Sequence, residues 1–220
     1  PFTRALSRYS ATEFVEEILV RRLRMRAILI GHAHGFGRDR GGNVEMLRAL
    51  APAHGFEVDV IPAVGNEHGQ AFSSTAIRRA IAGGDLERAA QALGRPYAIG
   101  GTVIPGAGRG RELGFRTLNL SAPPARKLLP PEGVYAVRVQ TPLGPFGGMM
   151  NLGGRPTFGE SSVQLEAHLF DANADLYGAH VRVDVLARLR AVRRFASPAA
   201  LMAQLRTDEV AARAVLTRTS

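Results

Sequence analysis

Residues 97–105, YAIGGTVIP, open the part of the sequence in which apolar residues recur at every second position. This period is typical of strands with one buried face, and glycine, proline and asparagine turns separate the runs. Several short strands of this kind predict an antiparallel barrel or sandwich. The other strand-like runs are GVYAVRVQT (133–141), FGGMMNLGG (146–154), VQLEAHLF (163–170) and HVRVDVLARL (180–189).

A helix is predicted after the last strand. Ser197 suits the N-cap, and Pro198 fits the first helical position, where its missing N–H has no partner to lose. Apolar residues then recur at helical spacing, which predicts a helix packed on the barrel. They are Leu201, Leu205, Val210 and Leu216.

The sequence before residue 97 alternates between strand-like and helix-like runs, which predicts a parallel sheet with crossover helices. The runs are AILIG (27–31), VEMLRALAPAHG (44–55), EVDVIPAV (57–64), SSTAIRRAIAGG (73–84) and DLERAAQALGRP (85–96). We place the domain boundary near residues 94–98, between an α/β domain at 1–96 and a β domain at 97–220.

One more helix is predicted ahead of these runs. Ser10 and Glu13 have the spacing of a capping box, so the helix begins at this point. Its buried face is predicted to carry Phe14, Ile18, Leu19 and Leu23.

Composition limits the classes of protein that fit. A chain of 220 residues and 23.6 kDa holds one large or two small domains. It has no apolar run near the roughly 18 residues of a membrane helix and no cysteine, so we expect a cytoplasmic protein without a membrane span or disulfides. The net charge of +9 favours polyanionic partners, namely nucleotide phosphates or nucleic acid, or else reflects a solvated arginine-rich surface.

Residues 101–120, GTVIPGAGRGRELGFRTLNL, combine closely spaced glycines with arginines. Glycine lets backbone amides approach an anion, and guanidinium groups neutralise it, so the segment suits phosphate binding. It matches neither a Walker A loop nor the GxGxxG pattern, and a glycine-rich hairpin with solvated arginines is the alternative. The candidate phosphate ligands are Gly106, Gly108, Arg109, Gly110, Arg111 and Gly114.

Thr117 and Asn119 are one residue apart, so in a strand both side chains point to the same face. Their hard oxygen atoms suit Mg²⁺, which takes one or two protein ligands and completes its coordination with water and phosphate oxygens. The pair could hold Mg²⁺-ATP, or it could be a polar strand edge.

Glu166 and His168 lie on the polar face of an alternating strand whose other face is apolar. A carboxylate in this position could accept the proton of a hydroxyl that attacks phosphorus. A solvated polar face is the alternative. The six histidines show no zinc-binding spacing, so no zinc site is expected.

These segments, in this order, resemble the bacterial bifunctional riboflavin kinase/FAD synthetase family over almost the whole chain. The ordered set carries the resemblance, since no single piece is specific. The pieces are FVEEILVRRL, GFGRDRGGN, SSTAIR, GDLERAAQALGRPY, GTVIPGAGRGRELGF, GVYAV, NLGGRPTF, LEAHLFD, DLYG, LR followed by RRF, and the closing helix.

The resemblance implies that residues 97–220 form a riboflavin kinase, a six-stranded Greek-key-like barrel that transfers the γ-phosphate of ATP to riboflavin and yields FMN. The glycine-rich loop would cover the ATP phosphates, and Glu166 would be the catalytic glutamate. The family's PTAN motif, which contacts Mg²⁺ and the nucleotide, stands here as RTLN, so Thr117 and Asn119 match whereas Arg116 and Leu118 do not. The implied flavin contacts are Arg190 and Phe195.

The resemblance also implies that residues 1–96 are the second part of an FMN adenylyltransferase with a partial Rossmann-like nucleotidyltransferase fold. The family's opening strand and HxGH motif would precede residue 1, and Ala33 and His34 depart from the family pattern. Because those histidines stabilise the leaving pyrophosphate, we expect FAD synthesis by this chain to be weak or absent. The matching phosphate-contacting loop consists of Ser73, Ser74, Thr75 and Arg78.

Two other functions stay open. A fully bifunctional enzyme would also make FAD from FMN and ATP. A non-catalytic basic barrel would bind flavin or nucleic acid, with a steep salt dependence toward polynucleotides. Aromatic residues make up only 6% of the chain, and stacking platforms for bases are correspondingly few, so we expect small-molecule partners and no nucleic acid.

Overall fold

The chain forms two compact units, Pro1–Phe72 and Ser73–Ser220. The sequence patterns place the helices at 73–84 and 85–96 in the α/β domain. In the structure these helices belong to the second unit, together with the strands from residue 97 onward. The division into functional modules at 1–96 and 97–220 stays a prediction. The computed structural model describes residues 3–31, 34–65, 71–106, 115, 117–154, 163–172 and 175–219.

The first unit has the predicted α/β order. Strands β1 and β2 pair in parallel, from Ala27 opposite Glu57 to Gly31 opposite Ile61. Helices pack on them and bury a small core of Val15, Ile30, Val44, Leu47 and Phe56. The elements are α1 (an α-helix over Ala11–Glu13 that continues as a π-helix over Phe14–Arg22), β1 (Ala27–Gly31), α2 (Val44–His54) and β2 (Glu57–Ile61), with 3₁₀ turns at Leu6–Arg8 and Arg38–Arg40.

Helix α1 begins with the predicted capping box. The Ser10 backbone N–H donates to Glu13 Oε2 (2.8 Å), and the Glu13 N–H donates to Ser10 Oγ (3.2 Å). The hydrogen bond from the Ser10 backbone is the main reason that the pKa of Glu13 is lowered. The predicted buried face is partly wrong: the wider π-helical turns bury Val15 and leave Leu23 exposed.

The second unit is built on a closed barrel of six antiparallel strands in the order β3-β4-β7-β6-β5-β8. This arrangement confirms the barrel rather than the sandwich. The strands are β3 (Tyr97–Ile104), β4 (Thr117–Leu120), β5 (Gly133–Thr141), β6 (Gly144–Gly154), β7 (Val163–Leu169) and β8 (His180–Arg190).

Strand β7 shows how the two-residue period divides the barrel. Leu165, Ala167 and Leu169 point into the core, where they pack with Tyr135 and Met150. The alternate residues of β7 therefore lie on the outer face, as the sequence predicts for Glu166 and His168.

Three helices belong to the described residues of this unit, and each begins at a side-chain cap. The caps are Ser73, Asp85 and Ser197, whose side chains accept the backbone N–H three residues later. Helices α3 and α4 end at glycines with left-handed backbone, Gly84 and Gly94. The helices are α3 (Ser74–Gly83), α4 (Leu86–Leu93) and α5 (Pro198–Arg218).

Helix α5 packs on the outer face of β5, β6 and β8, as predicted, but with a different buried stripe. Leu205 and Leu216 contact the barrel together with Ala212 and Val215. Val210 is 71% exposed, so its assignment to the buried face is wrong. It stands five residues after Leu205, which turns it about 140° around the helix from that residue.

Because of this packing, the same valine-to-alanine substitution is expected to lower stability at one position of the helix and to have little effect at another. Val215→Ala is expected to destabilise the barrel unit by about 1–3 kcal/mol, because it removes two buried methyl groups from the helix–barrel contact. Val210→Ala, at the exposed position, is expected to change stability by less than about 0.5 kcal/mol. Urea unfolding followed by circular dichroism measures both; equal effects would show that the helix packs in another register.

Candidate active site

The outer face of β4, β7 and β6 carries a row of polar side chains. Asn119 lies directly opposite Glu166 in the β4–β7 pairing, and Glu166 lies opposite Asn151 in the β6–β7 pairing. Directly opposite residues have Cβ atoms about 4.5–5.5 Å apart, so the three side chains are neighbours. Farther along β6, Gly147 and Met149 lie under α5, whereas Asn151 is exposed. The Asn151 end of the row is therefore accessible beside the helix.

Gln164 links two members of this row. Its Nε2 donates to Asn119 Oδ1 (3.0 Å) and also to Glu166 Oε1. Asn119 is only 8% exposed although it is on the outer face. No sequence motif pointed to a role for Gln164 or Asn151. The two-residue period could have indicated Gln164, because it precedes Glu166 by two positions and so lies on the same strand face.

Gly106 brings the beginning of the glycine-rich segment to the same place. A Cβ atom added at Gly106 would overlap the amide nitrogen of Asn119 and lie 2.5 Å from its Cγ. Glycine is thus required for this close approach. The other predicted phosphate ligands, Gly108, Arg109, Gly110, Arg111 and Gly114, lie outside the described residues.

Thr117 is on the same outer face as Asn119 and opposite His168. The neighbouring core positions, Leu118 and Leu120, point inward, so the spacing places the two oxygen-bearing side chains as predicted. The His168 ring contacts Phe115, with the ring centroids 5.0 Å apart. The strand pairing therefore brings Thr117, Asn119 and Glu166 together, and the close approach of Gly106 to Asn119 adds the beginning of the glycine-rich segment.

Arg190 and Phe195 lie at the end of β8 and the segment after it. Arg190 donates through Nε and Nη2 to Asp208 on α5 (3.0 and 2.7 Å) and through Nη1 to the Ala191 carbonyl (3.0 Å). The Phe195 ring lies under the guanidinium groups of Arg190 and Arg193. Arg190 thus attaches α5 to the barrel, and its contact with flavin stays a prediction.

The predicted adenylyltransferase loop forms the beginning of α3. The Ser73 hydroxyl accepts the Ala76 N–H (3.1 Å) and caps the helix. Ser74, Thr75 and Arg78 are exposed on the first turns, where helix backbone amides and a cation favour anions. Their phosphate-binding role stays a prediction.

Tyr97, Tyr135 and the single lysine hold the segment between β4 and β5 on the barrel through hydrogen bonds to backbone carbonyls. The Tyr135 hydroxyl donates to the Pro131 carbonyl. The Tyr97 hydroxyl donates to the Leu128 carbonyl (2.5 Å), and Lys127 Nζ donates to the Ala98 carbonyl (2.5 Å). Burial lowers the pKa of Lys127, with two nearby arginines contributing, and burial raises the pKa values of Tyr97 and Tyr135. These groups stabilise the barrel and carry none of the predicted roles.

Comparison with known families defines the class of each part of the chain. The model of the riboflavin kinase (Flavokinase) family matches residues 93–216, and that of the FAD synthetase family matches residues 1–76. The six-stranded barrel with its closing helix is therefore a riboflavin kinase domain, preceded by an FAD synthetase-like region.

Whole-chain relatives identify the particular family. The bifunctional riboflavin kinase/FMN adenylyltransferase of Escherichia coli K12 is 39% identical over 96% of this chain and 67% of its own length. The Haemophilus influenzae protein of the same name is 38% identical over 97% of this chain and 68% of its own length. The chain belongs to the bifunctional riboflavin kinase/FMN adenylyltransferase family.

A solved structure shares the architecture. The crystal structure described as a macrolide-efflux protein from Streptococcus pneumoniae has a TM-score of 0.84 and 32% identity, covering 96% of this chain and 67% of that one. Among the residues described for the present chain, no helix is long and apolar enough to cross a membrane.

Proposed function

We propose that this riboflavin kinase uses Glu166 as the general base that accepts the proton of the riboflavin 5′-hydroxyl. As the hydroxyl oxygen bonds to the γ-phosphorus of ATP, the bond to the departing ADP breaks and FMN forms. The observation that supports this role is the pairing of Glu166 with Asn119, next to Gly106. It puts a carboxylate beside the proposed nucleotide ligands.

The residues present also fit a magnesium ion. Thr117 Oγ1 and Asn119 Oδ1 are oxygen donors on one strand face, and Asn119 Oδ1 accepts one hydrogen bond from Gln164, which leaves it a second lone pair. Mg²⁺ bound there would neutralise phosphate charge during transfer. Thr117 and Asn119 are thus the proposed ligands, and the glycine-rich segment is the proposed cradle for the phosphates.

Product analysis tests the proposed reaction. The purified chain is incubated with riboflavin, ATP and Mg²⁺, and the flavins are separated by chromatography; FMN is expected, and its formation should stop when EDTA removes the metal. Flavin binding without FMN formation would instead favour the non-catalytic barrel. The cytoplasm stays the predicted compartment.

FAD synthesis is the second candidate activity, because the FAD synthetase family matches residues 1–76. The exposed residues Ser74, Thr75 and Arg78 are the proposed phosphate contacts. Supplying FMN, ATP and Mg²⁺ measures this activity separately, since riboflavin is absent. FAD at a rate near that of FMN synthesis would establish full bifunctionality, whereas FMN synthesis without FAD would confine the activity to the kinase domain.

Gly106 offers a prediction about nucleotide affinity. In Gly106→Ala, the new methyl group forces the Asn119 side chain to move, and this breaks the hydrogen bond from Gln164. The KM for ATP is expected to rise about ten-fold, which is the scale of one lost hydrogen bond. Steady-state kinetics at saturating riboflavin measures it.

Gly83→Ala is the matched control, because a Cβ at that helical position meets no atom within 4 Å. It is expected to leave the KM unchanged and to stabilise the helix slightly. An unchanged KM in Gly106→Ala would show that Asn119 does not contribute to binding of the nucleotide.

A further inference from the structure

Gln164 donates through one amide nitrogen to two side chains with different proposed roles. The acceptors are Asn119 Oδ1 on the neighbouring strand and Glu166 Oε1 on its own strand. Because Asn119 is in register with Glu166, Gln164 is diagonal to it, a distance that a long side chain can span. The amide therefore fixes the position of the acid relative to the proposed metal ligand.

We propose that Gln164 is a positioning residue of the kinase reaction, which orients Glu166 and Asn119 for phosphoryl transfer. The inference rests on the proposed function of Glu166 as the base. A free glutamate side chain rotates about several bonds, and a hydrogen bond to one carboxylate oxygen restricts this freedom. In the proposed reaction the other oxygen, Oε2, accepts the proton from the substrate.

Restricting the base matters for rate because this reaction gains most of its acceleration from positioning and charge neutralisation. The Asn119 amide is nearly buried, so it has little access to water as a replacement for the Gln164 donor. Gln164 is itself partly buried between the two side chains that it joins.

The test compares Gln164→Met with the wild type. Methionine keeps the length of the side chain and removes the donor. We expect kcat to fall about ten- to hundred-fold, the scale of a lost hydrogen bond to a charged group, and riboflavin affinity measured by flavin fluorescence to stay within two-fold. The control is Gln140→Met, at an exposed position on β5, which should leave kcat and riboflavin affinity unchanged.

A double-mutant cycle separates positioning from a general structural effect. If Gln164 acts on kcat through Glu166, then adding Gln164→Met to Glu166→Gln should lower kcat by less than about three-fold. The KM for ATP should rise in both backgrounds, because Asn119 loses its donor in both.

Each outcome decides between the hypotheses. If kcat falls as expected in Glu166→Gln but is unchanged in Gln164→Met, the positioning role of Gln164 is overturned and the assignment of Glu166 as the base stands. Equal losses from Gln164→Met in both backgrounds also overturn it, because they indicate a structural effect independent of Glu166. An unchanged kcat in Glu166→Gln overturns the base assignment, and the positioning role fails with it. If Gln164→Met does not fold, Gln164→Ala replaces it, since alanine also lacks the donor and adds no charge beside Glu166.

Discussion

Glu166→Gln is expected to lower kcat for FMN formation by about 100- to 10,000-fold, the range that a positioned general base contributes. Glutamine has nearly the same shape, and its amide oxygen can still accept the hydrogen bond from Gln164. The variant therefore removes the proton acceptor without opening the site. ATP binding, measured by calorimetry with Mg²⁺, is expected to be nearly unchanged, so the loss appears in kcat.

The matched control is Glu87→Gln, which makes the same change on the exposed surface of α4 in the same compact unit. It should leave both kcat and ATP binding at wild-type values. Single-turnover measurement of FMN formation isolates the chemical step from product release. If Glu166→Gln forms FMN at the wild-type rate, Glu166 is not the base.

Much of this site could be predicted from the sequence because strand alternation is a local property. The two-residue period placed Leu165 and Ala167 in the core and Glu166 on the outer face, and the structure agrees. The spacing of Thr117 and Asn119 likewise placed both on one face. The starts of two helices, at Ser10 and at Ser197, could also be predicted, because a capping side chain acts on its own helix end.

Cross-strand neighbours could not be predicted in the same way, because they depend on the order of strands in the closed barrel. Strand β7 lies between β4 and β6, and this order alone makes Asn119 and Asn151 the neighbours of Glu166. The residue patterns did not specify that order; the family resemblance implied only the type of barrel. The link through Gln164 is a consequence of the same pairing.

The prediction of which helix residues are buried was partly wrong in two helices. In one the geometry departs from an ideal α-helix, and in the other more than one apolar stripe was possible. The π-helical turns of α1 moved Leu23 to the surface, and α5 turned Ala212 and Val215, rather than Val210, toward the barrel. Alanine and valine provide little hydrophobic contrast along such a helix. Contact with the barrel therefore determines which side is buried.

Asp208→Asn is expected to destabilise the barrel unit by about 3–5 kcal/mol, the scale for breaking a buried ion pair by removing one charge. Asp208 is 3% exposed, and it accepts hydrogen bonds from Arg190 and from Gln204 (2.6 Å). The side chain of Arg190 is 18% exposed, so the substitution leaves a largely buried guanidinium group without its counter-charge. The melting temperature should fall by about 6–20 °C.

A second ion pair of the same helix provides the control for this prediction. Arg213 on α5 donates to Asp171 (2.9 Å), but the side chains are 44% and 78% exposed. Arg213 lowers the pKa of Asp171, yet both side chains are exposed to solvent, and Asp171→Asn should leave the melting temperature nearly unchanged. Asparagine also tolerates the positive φ of this position, so backbone strain does not confuse the comparison. Equal losses in the two variants would show that net charge, rather than the buried contact with Arg190, controls the stability of the helix on the barrel.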